Sequence, residues 1–105
     1  MNAHQAPSPK AMIVGRTPVH PGEVSFYCED VEGYVAVAGM SARCPCGCGA
    51  ERFFWFGADA DPDWGWNGND TEPSLHREIG FPSCTTGWRG RLTHGRWLPR
   101  RTRRT

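Results

Sequence analysis

Short apolar runs separated by polar, Gly-rich or Pro-rich connections fill most of the chain, and their lengths predict strands rather than helices. Residues 24–28 and 34–38 are rich in β-branched and aromatic residues and flank a polar five-residue connection. A connection of this length fits a hairpin loop, so the two runs should pair as antiparallel strands. Residues 52–56 form the most aromatic run, and we expect them to form a central strand under the core.

The C-terminal third predicts a second hairpin. Residues 87–98 favour two short strands that turn at Thr93-His94-Gly95, with Leu92 and Trp97 or Leu98 facing inward. Because 13 Gly and 9 Pro weaken helix interiors, we predict no helix. The predicted fold class is therefore all-β, a small antiparallel domain of hairpins.

Two tryptophans in the middle of the chain have an open role. Trp64 and Trp66 lie two positions apart, so in a strand they would share one face, and Asn67-Gly68 is a strong signal for a two-residue hairpin turn. Such a pair would stack on a base or a sugar ring if it were exposed. We favour the alternative that these side chains cover the core, because large aromatics dominate burial in a small domain.

A cluster of cysteines is the most informative feature of the sequence. Cys44, Cys46 and Cys48 lie in the segment Cys-Pro-Cys-Gly-Cys-Gly. The proline and the glycines predict a tight turn that brings the sulfur atoms together. Thiolates bind Zn²⁺ tetrahedrally, and ligands in such a turn are usually separated by two to four residues. The outer pair fits this spacing better than either inner pair, although a distorted turn would let all three cysteines bind.

A tetrahedral site needs a fourth ligand from elsewhere in the chain. Cys84 is the only downstream cysteine, and its Pro, Thr and Gly neighbours again predict a turn. Other candidates are His76, His94 and Cys28, but Cys28 lies in an apolar run and is expected to be a small buried hydrophobe. Cluster spacing disfavours a disulfide or inert thiols. The predicted ligands of a structural Zn²⁺, with His76 as the alternative fourth, are Cys44, Cys46, Cys48 and Cys84.

Length and cysteine usage limit the class of protein. A chain of 105 residues is one small domain, which buries somewhat more than about 60% of its unfolded surface and is marginally stable without a staple such as zinc. We predict a disordered arm at 1–10, a zinc-binding β domain at 11–98 and a basic tail at 99–105. The sequence shows neither a secretory signal nor a transmembrane run, and its five cysteines suit a reducing compartment, so we expect a cytoplasmic protein without membrane contact.

Charge is distributed unevenly along the chain. Residues 1–82 contain all eleven acidic residues and five basic ones, whereas residues 83–105 contain seven arginines and no acid. The C-terminal hairpin and tail therefore offer Arg89, Arg91 and Arg96 to nucleic-acid phosphates, since arginine makes bidentate contacts with them. A solvated tail is the plainer alternative, because an Arg-rich run is a weak motif.

Four short motifs occur in an order that resembles a known family. They are Cys-Pro-Cys-Gly-Cys-Gly at 44–49, Trp-Gly-Trp-Asn-Gly at 64–68, Glu-Pro-Ser-Leu at 72–75 and Gly-Trp-Arg-Gly-Arg-Leu-Thr-His-Gly at 87–95. Over roughly residues 24–98, the chain resembles a family of small uncharacterised phage and prophage proteins that are often labelled automatically as ammonia monooxygenase. The resemblance implies a compact zinc-binding β domain, zinc-ribbon-like, in the cytoplasm of a bacterial host cell.

The chain departs from this family at one ligand position. Relatives tend to have a histidine just ahead of the final hairpin, where this sequence has Gly87, Trp88 and Arg89 and no histidine before His94. The resemblance therefore implies that the third cysteine of the cluster compensates for the missing histidine.

These observations predict a binding protein rather than an enzyme. A closed, thiolate-rich site has no position for substrate, and no imidazole cluster suited to copper or iron chemistry is evident. We predict a non-catalytic adaptor that binds another protein through Trp64, Trp66 and Trp88, if these are exposed, and through arginine. The alternatives are a nucleic-acid-binding zinc domain and a metal-dependent enzyme. A third, suggested by relatives near bacterial ubiquitin-like conjugation genes, is a zinc adaptor for such a system.

Overall fold

The computed structural model describes residues 10–57, 59–60 and 62–100, and this part of the chain contains strands and no helix. The all-β prediction is therefore confirmed. A four-stranded sheet has the order β1-β2-β3-β4, and a three-stranded sheet has the order β5-β6-β7. The strands are β1 Met12–Ile13, β2 Glu23–Val31, β3 Tyr34–Arg43, β4 Glu51–Trp55, β5 Ile79–Gly80, β6 Arg89–Thr93 and β7 Arg96–Pro99.

The predicted first hairpin is confirmed, but its turn is tighter and its strands are longer than the apolar pattern indicates. β2 and β3 pair antiparallel up to Val31 and Tyr34, so only Glu32 and Gly33 form the connection. Both have positive φ, 50° and 86°. A two-residue turn with this geometry matches the right-handed twist of the flanking strands, which lets polar Asp30 join the ladder.

The aromatic strand β4 lies at an edge of its sheet, so the prediction of a central strand is wrong. It pairs antiparallel with β3, while β2 pairs on the other side of β3. One face of β4 carries Phe54, which is fully buried, and the other carries Phe53 and Trp55, which are 47% and 37% exposed. Aromatic content indicates a strand, but it does not determine which neighbours pair with that strand.

The second hairpin forms as the alternation predicts. β6 and β7 are antiparallel, and His94 and Gly95, at φ 47° and 76°, form the turn. Leu92 and Trp97 are fully buried, whereas Leu98 is 37% exposed. The period-2 pattern therefore identifies the correct inward face of both strands.

The segment around the two central tryptophans is not a strand, and the prediction of a hairpin at Asn67-Gly68 is wrong. Gly65 has φ 65° and interrupts the alternation. The Asn67 backbone N–H instead donates to the Ser74 carbonyl, and the Asn67 Oδ1 accepts from the Ser74 N–H. These bonds close a loop. Trp64 and Trp66 therefore face different neighbours.

The core lies between the two sheets and is largely aromatic. The Phe81 ring contacts Phe54 from the first sheet and Trp97 from the second, at centroid distances of 6.4 and 6.1 Å. The Trp97 Nε1–H donates to the Gly22 carbonyl at 3.0 Å, which ties β7 to the chain just before β2. The second sheet and the residues after β4 thus pack on one half of the first sheet.

The far end of the first hairpin extends beyond this core. β4 pairs with β3 only from Gly39 onward, so in the described part of the chain the outer half of the hairpin has no further strand paired beside β3. Tyr34 and Val35 are 76% and 77% exposed there. Cys28 lies on this arm and is exposed, so the expectation that it is a buried core thiol is wrong.

The predicted arm and tail lie mostly outside the described residues. Of the predicted arm, only Lys10 is described, and it forms an isolated antiparallel bridge with Arg96. Of the predicted tail, Pro99 belongs to β7, and the Arg100 N–H donates to the Arg89 carbonyl. The described part of the chain contains no helix with the length and apolar character needed to cross a membrane.

Candidate metal centre

The sulfur atoms of four cysteines converge at one end of the core. They belong to Cys44, Cys46, Cys48 and Cys84, and all lie within 4.8 Å of one another. The Sγ of Cys44 is 3.4 Å from that of Cys46 and 3.8 Å from that of Cys84, and Cys46 and Cys84 are 3.5 Å apart. Zn–S bonds of about 2.3 Å at tetrahedral angles place sulfurs about 3.8 Å apart, so this set fits a tetrahedral ion of that size.

The first three cysteines are brought together by the connection between β3 and β4. The Cys44 N–H donates to the Ala50 carbonyl at 2.8 Å, and the Gly47 N–H donates to the Cys44 carbonyl at 3.3 Å. Gly47 and Gly49 have φ 94° and 88°, a region that side chains rarely adopt. Glycine at these two positions thus lets the backbone curl around the sulfurs.

The fourth cysteine comes from a turn that follows β5 in the other sheet. The Cys84 N–H donates to the Phe81 carbonyl at 2.8 Å, and its Sγ lies 3.3 Å from the Thr86 Oγ1. The Trp88 N–H donates to the Cys84 Sγ at 3.4 Å, and the Ala50 N–H donates to the Cys48 Sγ at 3.4 Å. Donors of this kind orient metal-binding thiolates and stabilise their charge.

The thiols of Cys44, Cys46 and Cys84 differ in acidity. The hydrogen bond with the Thr86 side chain, together with the N–H groups of Trp88 and Thr86, lowers the pKa of Cys84 to about 5 against the effect of burial. Burial raises the pKa of Cys46, but hydrogen bonds from Thr86 and the neighbouring cysteines outweigh it, so the pKa lies below its ordinary value. Burial raises the pKa of Cys44. A bound cation would be favourable here, because its positive charge would compensate the negative charge of the thiolates, including that of buried Cys44.

The remaining ligand candidates lie apart from the sulfur cluster. His76 is exposed, its backbone N–H donates to the Trp64 carbonyl at 2.7 Å, and the group of converging ligand atoms does not include it. His94 is exposed in the turn between β6 and β7. Cys28 lies on the outer part of the first hairpin. The structure thus brings together the four cysteines that the sequence predicts and leaves out the alternative histidine.

The predicted contact residues divide by exposure. Trp64 is 6% exposed and meets Phe54 edge-on at a centroid distance of 4.8 Å, so it belongs to the core, as the favoured alternative predicts, and does not meet the condition of exposure for a contact residue. Trp66 is half-buried and stacks on Phe56 at 5.2 Å. Trp88 is also half-buried. The arginines that are exposed on the second hairpin are Arg89, Arg91 and Arg96.

Sequence reasoning missed the groups around the sulfurs. Thr86 approaches Cys84 from two positions further along the chain, and this spacing is the only signal of it in the sequence. The N–H groups of Ala50 and Trp88 have no sequence signal, because any non-proline residue supplies a backbone donor. Their role follows from backbone geometry alone.

The comparisons with known proteins give one match. The model of a family described as "Bacterial ubiquitination-like system serine protease (BubE)" matches residues 13–98. Neither the comparison with curated proteins nor the comparison with solved structures gives a match. The family match agrees with the predicted link to ubiquitin-like conjugation systems, but its description as a protease stands against the expectation of a non-catalytic protein. The phage assignment and the identity of the metal stay predictions.

Proposed function

The chain belongs to the family of bacterial ubiquitination-like system serine proteases (BubE), and from that premise we propose that it is a zinc-stabilised domain that binds a protein partner within such a system. The observation that carries this proposal is the convergence of four cysteine sulfurs within 4.8 Å. A set of four thiolates is typical of structural zinc, in which protein ligands fill every position. The metal then stabilises the fold, and the protein surface performs the function.

Zinc is the ion that this donor set fits best. Soft thiolate ligands favour zinc, copper(I) or iron–sulfur clusters over magnesium or calcium, which prefer oxygen. The sulfurs of Cys44, Cys46 and Cys84 lie 3.4 to 3.8 Å apart and all four lie within 4.8 Å of one another, which suits a single tetrahedral ion. Because the ligands come from a connection in one sheet and a turn beside the other, such an ion would join the two halves of the core.

A serine protease is the second candidate function, and one contact favours it besides the family's description. The Ser74 hydroxyl accepts a hydrogen bond from the His94 backbone N–H at 2.7 Å, which holds Ser74 half-buried beside a histidine. A serine nucleophile needs a base within about 3 Å of its hydroxyl. The bond to Ser74 comes from the backbone of His94 rather than from its imidazole, so the four-cysteine centre remains the better supported basis for function.

One experiment separates the two candidates. The zinc-loaded protein is mixed with the ubiquitin-like protein of the same system, both free and joined to a target, and binding is measured by calorimetry while intact mass reports cleavage. Binding without cleavage supports the domain proposed here. Cleavage that Ser74→Ala abolishes, and that the control Ser83→Ala leaves unchanged, would establish the protease instead. Absence of both binding and cleavage would overturn the proposed link to this partner.

A nucleic-acid-binding role stays a prediction. Arg89 and Arg91 are exposed, but residues 101–105, which complete the basic tail, lie outside the described part of the chain. Retention on DNA or RNA that falls with salt would support this role.

A further inference from the structure

A cavity of about 530 Å³ lies beside the metal centre, between the start of β4 and the start of β6. Cys84 forms part of its wall, so the cavity and the sulfur cluster are neighbours. The volume lies within the range of small-ligand sites in proteins, about 300–1,000 Å³. Its lining combines three arginines with aromatic rings.

Arg52 is held rigidly at this cavity. Its Nη1 donates to the Gly80 carbonyl at 2.7 Å, and its guanidinium carbon lies 4.8 Å from the centroid of the Trp64 ring and 5.4 Å from that of Phe54. Burial lowers the pKa of Arg52, so the cation has lost part of its hydration. A partly desolvated guanidinium in a fixed position is prepared to bind an anion, because little conformational entropy remains to be lost.

Arg89 approaches the same point from the second sheet. Gly80 pairs with Arg89 across β5 and β6, and a Cβ placed on Gly80 would lie 3.2 Å from the Arg89 Nη1. The absence of a side chain at Gly80 therefore leaves room for the guanidinium. Arg52 and Arg89 thus both lie against Gly80, one from each sheet, and Arg77 adds a third cation to the lining.

These cations lack a balancing carboxylate. Within the described ranges, ion pairs join Arg16 to Glu23, Arg43 to Glu51 and Arg100 to Glu78, and none involves the three arginines of the cavity. Among the lining residues that the structure describes, Glu78 is the single acidic one, and it already pairs with Arg100 at 3.5 Å. The described lining therefore has an excess of positive charge.

We infer that this cavity binds the free C-terminal carboxylate of an extended peptide, with Arg52, Arg77 and Arg89 as the binding residues. A planar guanidinium matches a carboxylate with two parallel hydrogen bonds. The rings of Trp64, Phe81 and Trp88 in the lining would pack against the apolar part of the last residues of that peptide. The inference rests on the proposed protein-binding function and specifies which part of the partner is recognised.

A carboxylate fits this cavity better than a phosphate. The aromatic walls of the cavity suit the apolar part of a peptide chain more than a small, fully hydrated inorganic ion. A sugar–phosphate backbone would be matched by arginines spaced along a track, whereas Arg52 and Arg89 both lie against Gly80.

The test uses the full zinc-loaded chain and calorimetry with three probes. They are the peptide N-acetyl-Leu-Ala-Gly with a free carboxylate, the same peptide with a C-terminal amide, and inorganic phosphate. We expect the free acid to bind and the amide to bind at least about tenfold more weakly, because charge-assisted hydrogen bonds are lost. Trp64 and Trp88 line the cavity, so binding of the acid should also change tryptophan fluorescence.

Two variants on one strand give a matched comparison. Arg89 and Arg91 are both exposed on β6, two positions apart, but only Arg89 lines this cavity, whereas Arg91 bonds the His76 carbonyl. Arg89→Gln should lower the affinity for the peptide acid at least about tenfold, and Arg91→Gln should leave that affinity unchanged. Zinc content should be the same in both variants, which would exclude a loss of fold.

Three results would overturn the inference. The first is an equal affinity for the peptide acid and the peptide amide. The second is an affinity for phosphate as high as that for the peptide acid. The third is a loss of affinity in Arg91→Gln as large as that in Arg89→Gln. A chain that fails these tests and still binds the complete ubiquitin-like protein would retain the proposed function and lose only this site. Failure of the peptide and of the complete partner together would remove both.

Discussion

The Sγ atoms of Cys44 and Cys84 lie 3.8 Å apart, although 40 positions separate the two residues in the chain. Cys44 directly follows β3 of the first sheet, and Cys84 follows β5 of the second. The pair is therefore a long-range contact between the two halves of the core. An ion bound there would close a loop of 40 positions, and the stabilisation by a cross-link grows with the length of the loop that it closes.

Removal of one of these ligands should cause the protein to lose the metal and to unfold. We expect Cys84→Ser to lower zinc from about one ion per chain to less than half. Binding of structural zinc contributes about 10–16 kcal/mol in small zinc domains, more than a domain of this size has in reserve, so the variant should be largely unfolded. Elemental analysis and far-ultraviolet circular dichroism measure the two effects.

Cys28→Ser is the control for that experiment, because Cys28 is exposed and remote from the sulfur cluster. It should retain zinc and fold. A Cys84→Ser protein that holds one zinc as tightly as the parent chain would contradict the assignment of Cys84.

A residue outside the ligand set should also change the affinity for zinc. The Thr86 hydroxyl lies 3.3 Å from the Cys84 Sγ, and Thr86→Val removes this hydrogen bond while preserving side-chain volume. We expect zinc affinity to fall about 10- to 100-fold, the range typical of such supporting groups. Competition with a chelator of known affinity measures the change. Thr85→Val is the matched control, and an equal effect in both variants would show that the hydroxyl of Thr86 has no special role.

Local patterns predicted the parts of this structure that depend on neighbours in sequence. The burial of Leu92 and Trp97 follows from period-2 alternation, and the convergence of Cys44 and Cys48 follows from the turn residues between them. Cys84 was identified by elimination, because it is the only cysteine after the cluster. In each case the physical constraint acts over a few residues or through an unusual side chain.

The wrong predictions concern contacts that local patterns do not specify. Phe54 lies in a strand as expected. Whether that strand lies at the edge or in the centre of the sheet depends on how many segments pair with it, which its own residues do not specify. Glu32 adopts a positive φ that is uncommon for a non-glycine residue, so the tight turn has no strong sequence signal. Trp64 and Trp66 do not share one face, because the backbone at Gly65 belongs to the loop closed by Asn67 and not to a strand.

The junction between the sheets predicts a second sensitive position. Trp97 is fully buried, and its Nε1–H donates to the Gly22 carbonyl. Trp97→Ala should lower the free energy of unfolding by about 3–5 kcal/mol, since it leaves a large cavity. Trp97→Phe should cost about 0.5–1.5 kcal/mol, because it removes one buried hydrogen bond and leaves the Gly22 carbonyl with only the longer bond from the Met12 N–H at 3.4 Å. Urea denaturation followed by circular dichroism measures both changes.

Tyr34→Ala serves as the aromatic control for Trp97, because Tyr34 is 76% exposed at the tip of the first hairpin. Its effect should stay within about 0.5 kcal/mol. A Trp97→Ala variant that is no less stable than Tyr34→Ala would mean that the two sheets do not depend on this side chain.

A buried carboxylate near the start of β2 should give the fold a measurable dependence on pH. Glu23 is 7% exposed and accepts two hydrogen bonds from Arg16 at 2.9 Å and one each from the N–H groups of Val19 and His20. The bonds with Arg16 and then the two backbone bonds lower the pKa of Glu23 from 4.5 to about 2. Because the folded pKa is depressed, this contribution to stability is complete above pH 4.5 and is lost as the pH falls towards 2.

Glu23→Gln removes that titration. The urea midpoint of the parent chain should exceed that of Glu23→Gln by the largest amount above pH 4.5, and the difference should shrink steadily below it. Acid also protonates the cysteine thiolates, but both proteins share that effect, so it cancels in the difference. Glu51→Gln is the control, because Glu51 forms a longer and more exposed ion pair with Arg43 at 3.8 Å, and its removal should have a small effect on stability. A Glu23→Gln difference that stays constant from pH 6 to pH 3 would show that the carboxylate of Glu23 has no depressed pKa in the folded protein.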